Sequence, residues 1–178
     1  MRFAVLGSLQ VTTGDSEEPD AISAPRLRAL LAVLLWRSNQ PVPAGELAEL
    51  VWDGAPPDGA AEAARALVMR LRRRLDKRAA ARIVTRAPGY LIEISDEELD
   101  AALFEALTRQ AGRAVQAGRW AQAARTGAEA LGLWRGTPLA DLQQIDAQVA
   151  REVGAALERA HAAPAAGAAE LGLDEVYA

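Results

Sequence analysis

Residues 61–94 read AEAARALVMRLRRRLDKRAAARIVTRAPGYLIEI, an arginine-studded stretch of helical period that passes into one of strand period. At 100° per residue, Ala64, Leu67, Val68, Leu71 and Leu75 gather on one stripe that must face a core. Glu62, Ala66, Met69, Arg70 and Arg73 point the other way, with Arg65, Arg72 and Arg74 on the flanks. From Glu62 to Arg78 the cations are Arg65, Arg70, Arg72, Arg73, Arg74, Lys77 and Arg78, against only Glu62 and Asp76. A helix anchored on one side and cationic on the other suits a DNA phosphate backbone. After Arg82 the apolar period falls to two. Ile83 and Val84 begin a strand, Ala87-Pro88-Gly89-Tyr90 makes a turn, and residues 90–94 return as a second strand. A type II turn is expected there, with proline presetting φ at its second position and glycine taking positive φ at its third.

Working outward, residues 2–13 read as one strand with apolar Phe3, Val5, Leu6, Leu9 and Val11, and residues 14–20 as an acidic loop. Ser23 and Pro25 open a helix whose Leu27, Leu30, Leu31, Leu34 and Leu35 follow the i, i+3, i+4 pattern. A break at residues 39–43 precedes a shorter helix, 44–52, that buries Leu47, Leu50 and Val51. Pro56 and Pro57 keep residues 53–60 out of a regular helix. Strand, three helices and a hairpin make a winged helix-turn-helix. The acidic junction 95–98 then starts a helical half. Leu99, Leu103, Phe104 and Leu107 share one face, Gly118 interrupts, and residues 119–134 form a second helix with small contact residues Ala121, Ala124 and Ala128, then Leu131. The pair looks like one tetratricopeptide-type hairpin. Residues 136–138 close it, residues 145–161 form a third helix, and 162–178 is an alanine-rich, low-complexity tail.

The 178 residues suffice for one ordinary domain or two small ones. The net charge of −4 suits a nucleic-acid binder only once the chain is divided: residues 1–94 carry +2 and residues 95–178 carry −6. A DNA-facing module joined to a partner-facing one fits that asymmetry. With no cysteine there are no disulfides or thiolate metal sites, and a reducing cytoplasm is the expected compartment. The start, MRFAVLGSL, lacks a signal-peptide core, and no apolar run approaches a membrane span. With one histidine, His161, and no cysteine, Ser-His-Asp, Cys-His and zinc arrangements are excluded, as is a GxxxxGK[ST] phosphate loop. No enzyme, metal or cofactor is expected. Trp36, Trp52, Trp120 and Trp134 are read as packing residues.

Three pieces together, RFAVLGSLQV (2–11), MRLRRRLD…RIVTRAPGYLI (69–92) and ALGLWRGTPLADL (130–142), resemble the Streptomyces antibiotic regulatory protein family of AfsR/RedD-type activators. The resemblance covers residues 2–160. It implies a mostly α fold with small β-sheets: an OmpR/PhoB-type winged helix-turn-helix at 1–95, a partial, tetratricopeptide-like bacterial transcriptional activation domain at 96–161, and the tail at 162–178. It also implies that residues 61–74 enter the major groove, that the hairpin around Pro88 is a wing, and that Arg70, Leu71 and Arg72 fall on the family's Arg-Leu-Arg positions. Loop 53–60 matches a segment that approaches RNA polymerase. Double-stranded DNA with direct repeats, RNA polymerase holoenzyme and self-association on DNA are the partners implied.

Two departures stand out. Met69 takes the place of a polar residue, and Glu62 and Ala63 stand where Asn and Thr are usual, so fewer groups read base edges. Arg70 and Arg73 carry the expected readout, Arg70 on guanine; Met69 touches only a thymine methyl, and Glu62 accepts from cytosine. Arg65, Arg72 and Arg74 are the expected phosphate contacts of the helix. On the hairpin, Arg82, Thr85 and Arg86 are either phosphate contacts or ordinary surface residues. The helical half is shorter than the family's activation domains. A sequence-specific activator of a biosynthetic gene cluster is the leading expectation. The alternative is an adaptor without autonomous DNA binding, acting through its acidic half.

Overall fold

In the computed structural model, which describes residues 1–12 and 22–142, a two-stranded hairpin is followed by four helices, a three-stranded sheet and a helical hairpin. The single strand expected over 2–13 is instead β1 (Arg2–Ala4) and β2 (Gln10–Thr12), antiparallel with Phe3 opposite Val11. Gly7 makes the reversal. Its φ of +147° is closed to most side chains, and a Cβ there would lie 3.0 Å from the Arg135 Cβ. Loop 14–20, helix 145–161 and the tail lie outside the described residues.

Helix α1 (Pro25–Trp36) starts with proline at its first position, where no amide hydrogen is needed. Beyond the five expected leucines it also buries Ala29, Ala32 and Val33, so it is the central helix of the fold. Asn39, at φ +62°, turns the chain out of α1 and ties that turn to a residue following the wing hairpin. Its side chain donates to the Ile94 carbonyl at 2.9 Å and accepts from the Ile94 amide at 3.1 Å. A short strand that the sequence did not announce, β3 (Val42–Pro43), precedes α2 (Ala44–Val51). Within α2 Leu47, Ala48 and Val51 are buried, while Leu50 is only half-buried.

Helix α3 (Ala60–Arg74) packs Ala64, Leu67, Val68 and Leu71 against α1 and α2. Each large apolar side chain so buried contributes about 1.5–3 kcal/mol. The helical run does not continue through Leu75. That residue is extended, and Asp76 caps a separate helix, α4 (Lys77–Arg82), by accepting from the Arg78 and Ala79 amides at 2.8 and 2.9 Å. The wing follows as β4 (Ile83–Arg86) and β5 (Gly89–Ile92), and β5 lies between β4 and β3.

The turn is not of type II: Ala87–Pro88 is a cis peptide, and Gly89 is not among the residues with positive φ. Glycine is required there for a different reason. A Cβ at Gly89 would lie 1.8 Å from the Val42 carbonyl oxygen of β3.

A 3₁₀ turn (Asp96–Glu98) leads into α5 (Asp100–Gln116), which pairs with α6 (Trp120–Leu131). The buried face of α6 differs from the expected one. Ala123, Thr126 and Ala130 are inside, whereas Ala121, Ala124 and Ala128 are exposed, with Trp120 at 56% and Leu131 at 59%. Trp120 is therefore not a core residue. Trp134 lies beyond α6, half-buried and edge-on to Phe104 at 5.4 Å.

The two halves share one apolar cluster running from Phe3 to Leu142. The N-terminal hairpin is gripped by the helical half through polar contacts. The Asp100 carboxylate accepts from the Val5 and Leu6 amides at 2.8 and 3.0 Å, and Arg135 reaches the Ser8 carbonyl at 3.1 Å. Asp141 accepts from the Leu9 amide at 3.0 Å and pairs with Arg28. Among the described residues no helix is long and apolar enough to cross a membrane.

Candidate nucleic-acid interface

The leucines of α3 decide where its arginines go. With Leu67, Val68 and Leu71 locked onto α1 and α2, the opposite ridge is left to Glu62, Ala66, Met69, Arg70 and Arg73, all exposed. Arg74 is exposed as well. Among the described residues none of Arg70, Arg73 and Arg74 makes a salt bridge or side-chain hydrogen bond. Three guanidinium groups that lack carboxylate partners repel one another unless an anion or solvent sits between them. Met69, 50% exposed on the same ridge, is an apolar spot suited to a methyl group.

Arg70, Arg73 and Arg74 line one wall of a groove of about 900 Å³. Its other wall is the start of α1 with the residues just before it, from Ile22 to Leu27, together with Trp52, and among the described residues no carboxylate lines it. Arg26 stands there with its guanidinium carbon 5.3 Å from the Trp52 ring centroid, within cation–π range. The sequence reading passed over Arg26. The available signal was a cation in the first turn of a helix, where the helix dipole disfavours one.

The opposite flank of α3 is engaged with the protein itself. Arg65 pairs with Glu62 at 3.1 Å, both well exposed, so two of the expected contact residues face each other. Such an exposed pair is worth little and opens readily. Arg72 is more firmly held. Its Nη2 donates to the Ile83 carbonyl at 2.7 Å and to the Thr85 hydroxyl at 3.2 Å, and its Nε reaches the same carbonyl at 3.2 Å. The guanidinium also lies 5.9 Å from the Tyr90 ring centroid. Thr85 is thus an acceptor for Arg72.

On the wing, Arg82 pairs with Glu98 at 2.7 Å, and Glu98 also accepts from the Ser95 amide at 3.0 Å. This ties the foot of the hairpin to the junction with the helical half. Arg86, near the tip, is 3.6 Å from Glu93, with both side chains largely in solvent. The six expected phosphate contacts therefore fall into two sets. Arg74 is unpaired among the described residues, and Arg65 and Arg86 are loosely paired. Arg72, Arg82 and Thr85 are built into the fold.

The loop between α2 and α3 takes its shape from Asp53 at φ +52°, Gly54 at +78° and Gly59 at +74°, the last directly before α3. Asp53, Pro57 and Asp58 are exposed.

A family model described as "Transcriptional regulatory protein, C terminal" matches residues 20–92, and one described as "Bacterial transcriptional activator domain" matches residues 99–177. The transcriptional regulatory protein EmbR of Mycobacterium tuberculosis is 36% identical over 146 residues, covering 80% of this chain and 37% of that protein. The regulatory protein AfsR of Streptomyces coelicolor is 35% identical over 152 residues, 85% of this chain and 15% of that protein. The chain thus spans less than half the length of these relatives. A solved structure of Mycobacterium tuberculosis EmbR, in complex with a low-affinity phosphopeptide, superposes with a TM-score of 0.78 at 32% identity. That superposition covers 96% of this chain and 46% of the other.

Proposed function

The chain belongs to the Streptomyces antibiotic regulatory protein family of AfsR/RedD-type regulators, and from that premise we propose that it binds double-stranded DNA sequence-specifically and activates transcription. In this reading residues 1–95 are the DNA-binding domain, 96–161 the activation domain and 162–178 its tail. One observation carries it: α3 is anchored by leucines and presents Arg70, Arg73 and Arg74 with no carboxylate partner among the described residues. Arg70 and Arg73 face base edges, Arg70 being the guanine reader, with Met69 against a thymine methyl and Glu62 against cytosine. Arg74, Arg65 and Arg86 contact phosphate, and Arg26 joins them from across the groove. Arg72, Arg82 and Thr85 offer phosphate only the hydrogen-bonding capacity left over from their internal bonds.

The exposed loop 53–60 and the acidic helical half face RNA polymerase, direct repeats align two copies on DNA, and the protein works in the cytoplasm on a biosynthetic gene cluster. Selection from random oligonucleotides followed by gel-shift titration against salt tests the core of this reading. A single enriched motif is expected, with affinity falling steeply as salt rises. If no specific complex forms even at low ionic strength, the adaptor reading replaces it.

A further inference from the structure

Arg72 occupies the last turn of α3, on the flank turned towards the wing, and reaches both strands of the hairpin at once. Two of its nitrogens meet the Ile83 carbonyl at 2.7 and 3.2 Å, and one meets the Thr85 hydroxyl at 3.2 Å. Its guanidinium lies over Tyr90, 5.9 Å from the ring centroid. Thr85 and Tyr90 are direct cross-strand partners, so the side chain grips a matched pair of the hairpin. The covalent route from α3 to the wing is less direct. It leaves the helix at extended Leu75, re-enters a short helix at Lys77 and reaches β4 only at Ile83.

The other ties of the hairpin run to elements other than α3. Val42 and Pro43 pair with β5, Asn39 bonds Ile94, and Arg82 bonds Glu98. Among the described residues, Arg72 therefore makes the only side-chain hydrogen bonds between α3 and the hairpin strands, beside the apolar cluster that they share. A guanidinium that donates along its planar edge to one carbonyl and one hydroxyl while its face lies on an aromatic ring has no lysine equivalent.

We propose that Arg72 is a positioning residue: it fixes the distance and angle between α3 and the wing, so that two neighbouring grooves are met at one set spacing. This deepens the DNA-binding reading above and rests on it. Arg72 differs in role from Arg74, which has no internal partner among the described residues and touches DNA directly.

Two measurements separate the roles. In the protein without DNA, amide hydrogen exchange is compared between wild type, Arg72→Lys and Thr85→Val. Arg72→Lys should speed exchange of the β4 and β5 amides about tenfold, with α1 and α5 unchanged, because about 1–1.5 kcal/mol of hydrogen bonding is lost locally. Thr85→Val, which removes one bond, should shift the same amides less. Unchanged wing exchange in Arg72→Lys overturns the proposal.

On an oligonucleotide selected by the wild-type protein, hydroxyl-radical footprinting then compares Arg72→Lys, Arg72→Ala and Arg74→Ala. Arg72→Lys should lose protection in the wing's groove while keeping that of α3, and should not rescue Arg72→Ala. A lysine that restores wild-type affinity and the full footprint shows a simple phosphate ligand and overturns the assignment. If wild-type protein forms no specific complex, the DNA-binding reading falls, and the exchange data decide by themselves whether Arg72 holds the hairpin.

Discussion

Arg70 and Arg74 stand one turn apart on the same wall of the groove, yet the proposed reading gives them different tasks. Arg70 lies mid-helix on the ridge, where in the proposed reading a planar fork would meet a base edge. Arg70→Ala should therefore relax preference at one base pair, at a cost of about 1–3 kcal/mol there. Arg74 lies at the helix end, and its alanine variant should weaken all sequences alike and reduce the slope of log affinity against log salt by about 1. Binding measured on the selected site and its single-base variants at several salt concentrations distinguishes the two. Identical specificity profiles for both variants would remove the division of labour. Arg26→Ala should follow the Arg74 pattern, because Arg26 sits across the groove over Trp52 and far from the ridge crest. At Gly89 the issue is space rather than charge. The 1.8 Å approach of the Val42 carbonyl leaves no room for a methyl group, so Gly89→Ala must push β3 and β5 apart. A loss of about 1–3 kcal/mol is expected from urea unfolding, as a lower midpoint at unchanged slope.

Among the elements, those with one apolar stripe were legible in the sequence and those with two were not. Helices α1, α2 and α3 and the wing hairpin were readable because Leu27, Leu47, Leu67 and Ile83 each belong to a pattern with one plausible inside. In α6, alanine on both sides removes that asymmetry. Ala123, Thr126 and Ala130 were indistinguishable by period from Ala121, Ala124 and Ala128, and only packing on α5 selects the former. The separate helix α4 is hidden in the sequence for a related reason. Leu75 continues the apolar stripe and is buried, but Asp76 offers its side chain to the backbone as a cap and so restarts the helix at Lys77. Asp76→Ala should cost about 1 kcal/mol, with the loss concentrated in α4 amide protection. If α4 protection is unchanged, the cap is not what separates the two helices. In the candidate site, the direction of the arginine ridge was legible from the leucines. The internal engagement of Arg72 and Arg82 was not, because their partners Ile83, Thr85 and Glu98 become neighbours only when the hairpin folds back.

At the scale of the molecule, the N-terminal hairpin belongs by sequence to the DNA-binding half and by contact to both. Arg135 donates its amide to the Leu6 carbonyl at 2.7 Å, and Leu139 does so to Gly7 at 2.7 Å, so the strand before the winged helix is clamped by the loop after α6. In the proposed reading, a winged helix bound to DNA would therefore carry the helical half in a fixed direction. The keystone is Asp100. Burial pushes its carboxyl above the ordinary value of 3.8, opposed by the Val5 and Leu6 amides and then by Arg135. For an acid whose native pKa exceeds its unfolded one, the folded chain holds more protons in the interval between them, so its stabilising contribution declines as pH rises through the native value. Asp100→Asn cannot titrate. The stability of the wild type relative to Asp100→Asn should thus be greatest below pH 3.8 and should decline as pH rises through the native pKa. Urea unfolding of both proteins across a pH series reads this directly. Parallel curves throughout that interval would show that desolvation of Asp100 does not outweigh its contacts with the Val5 and Leu6 amides and Arg135.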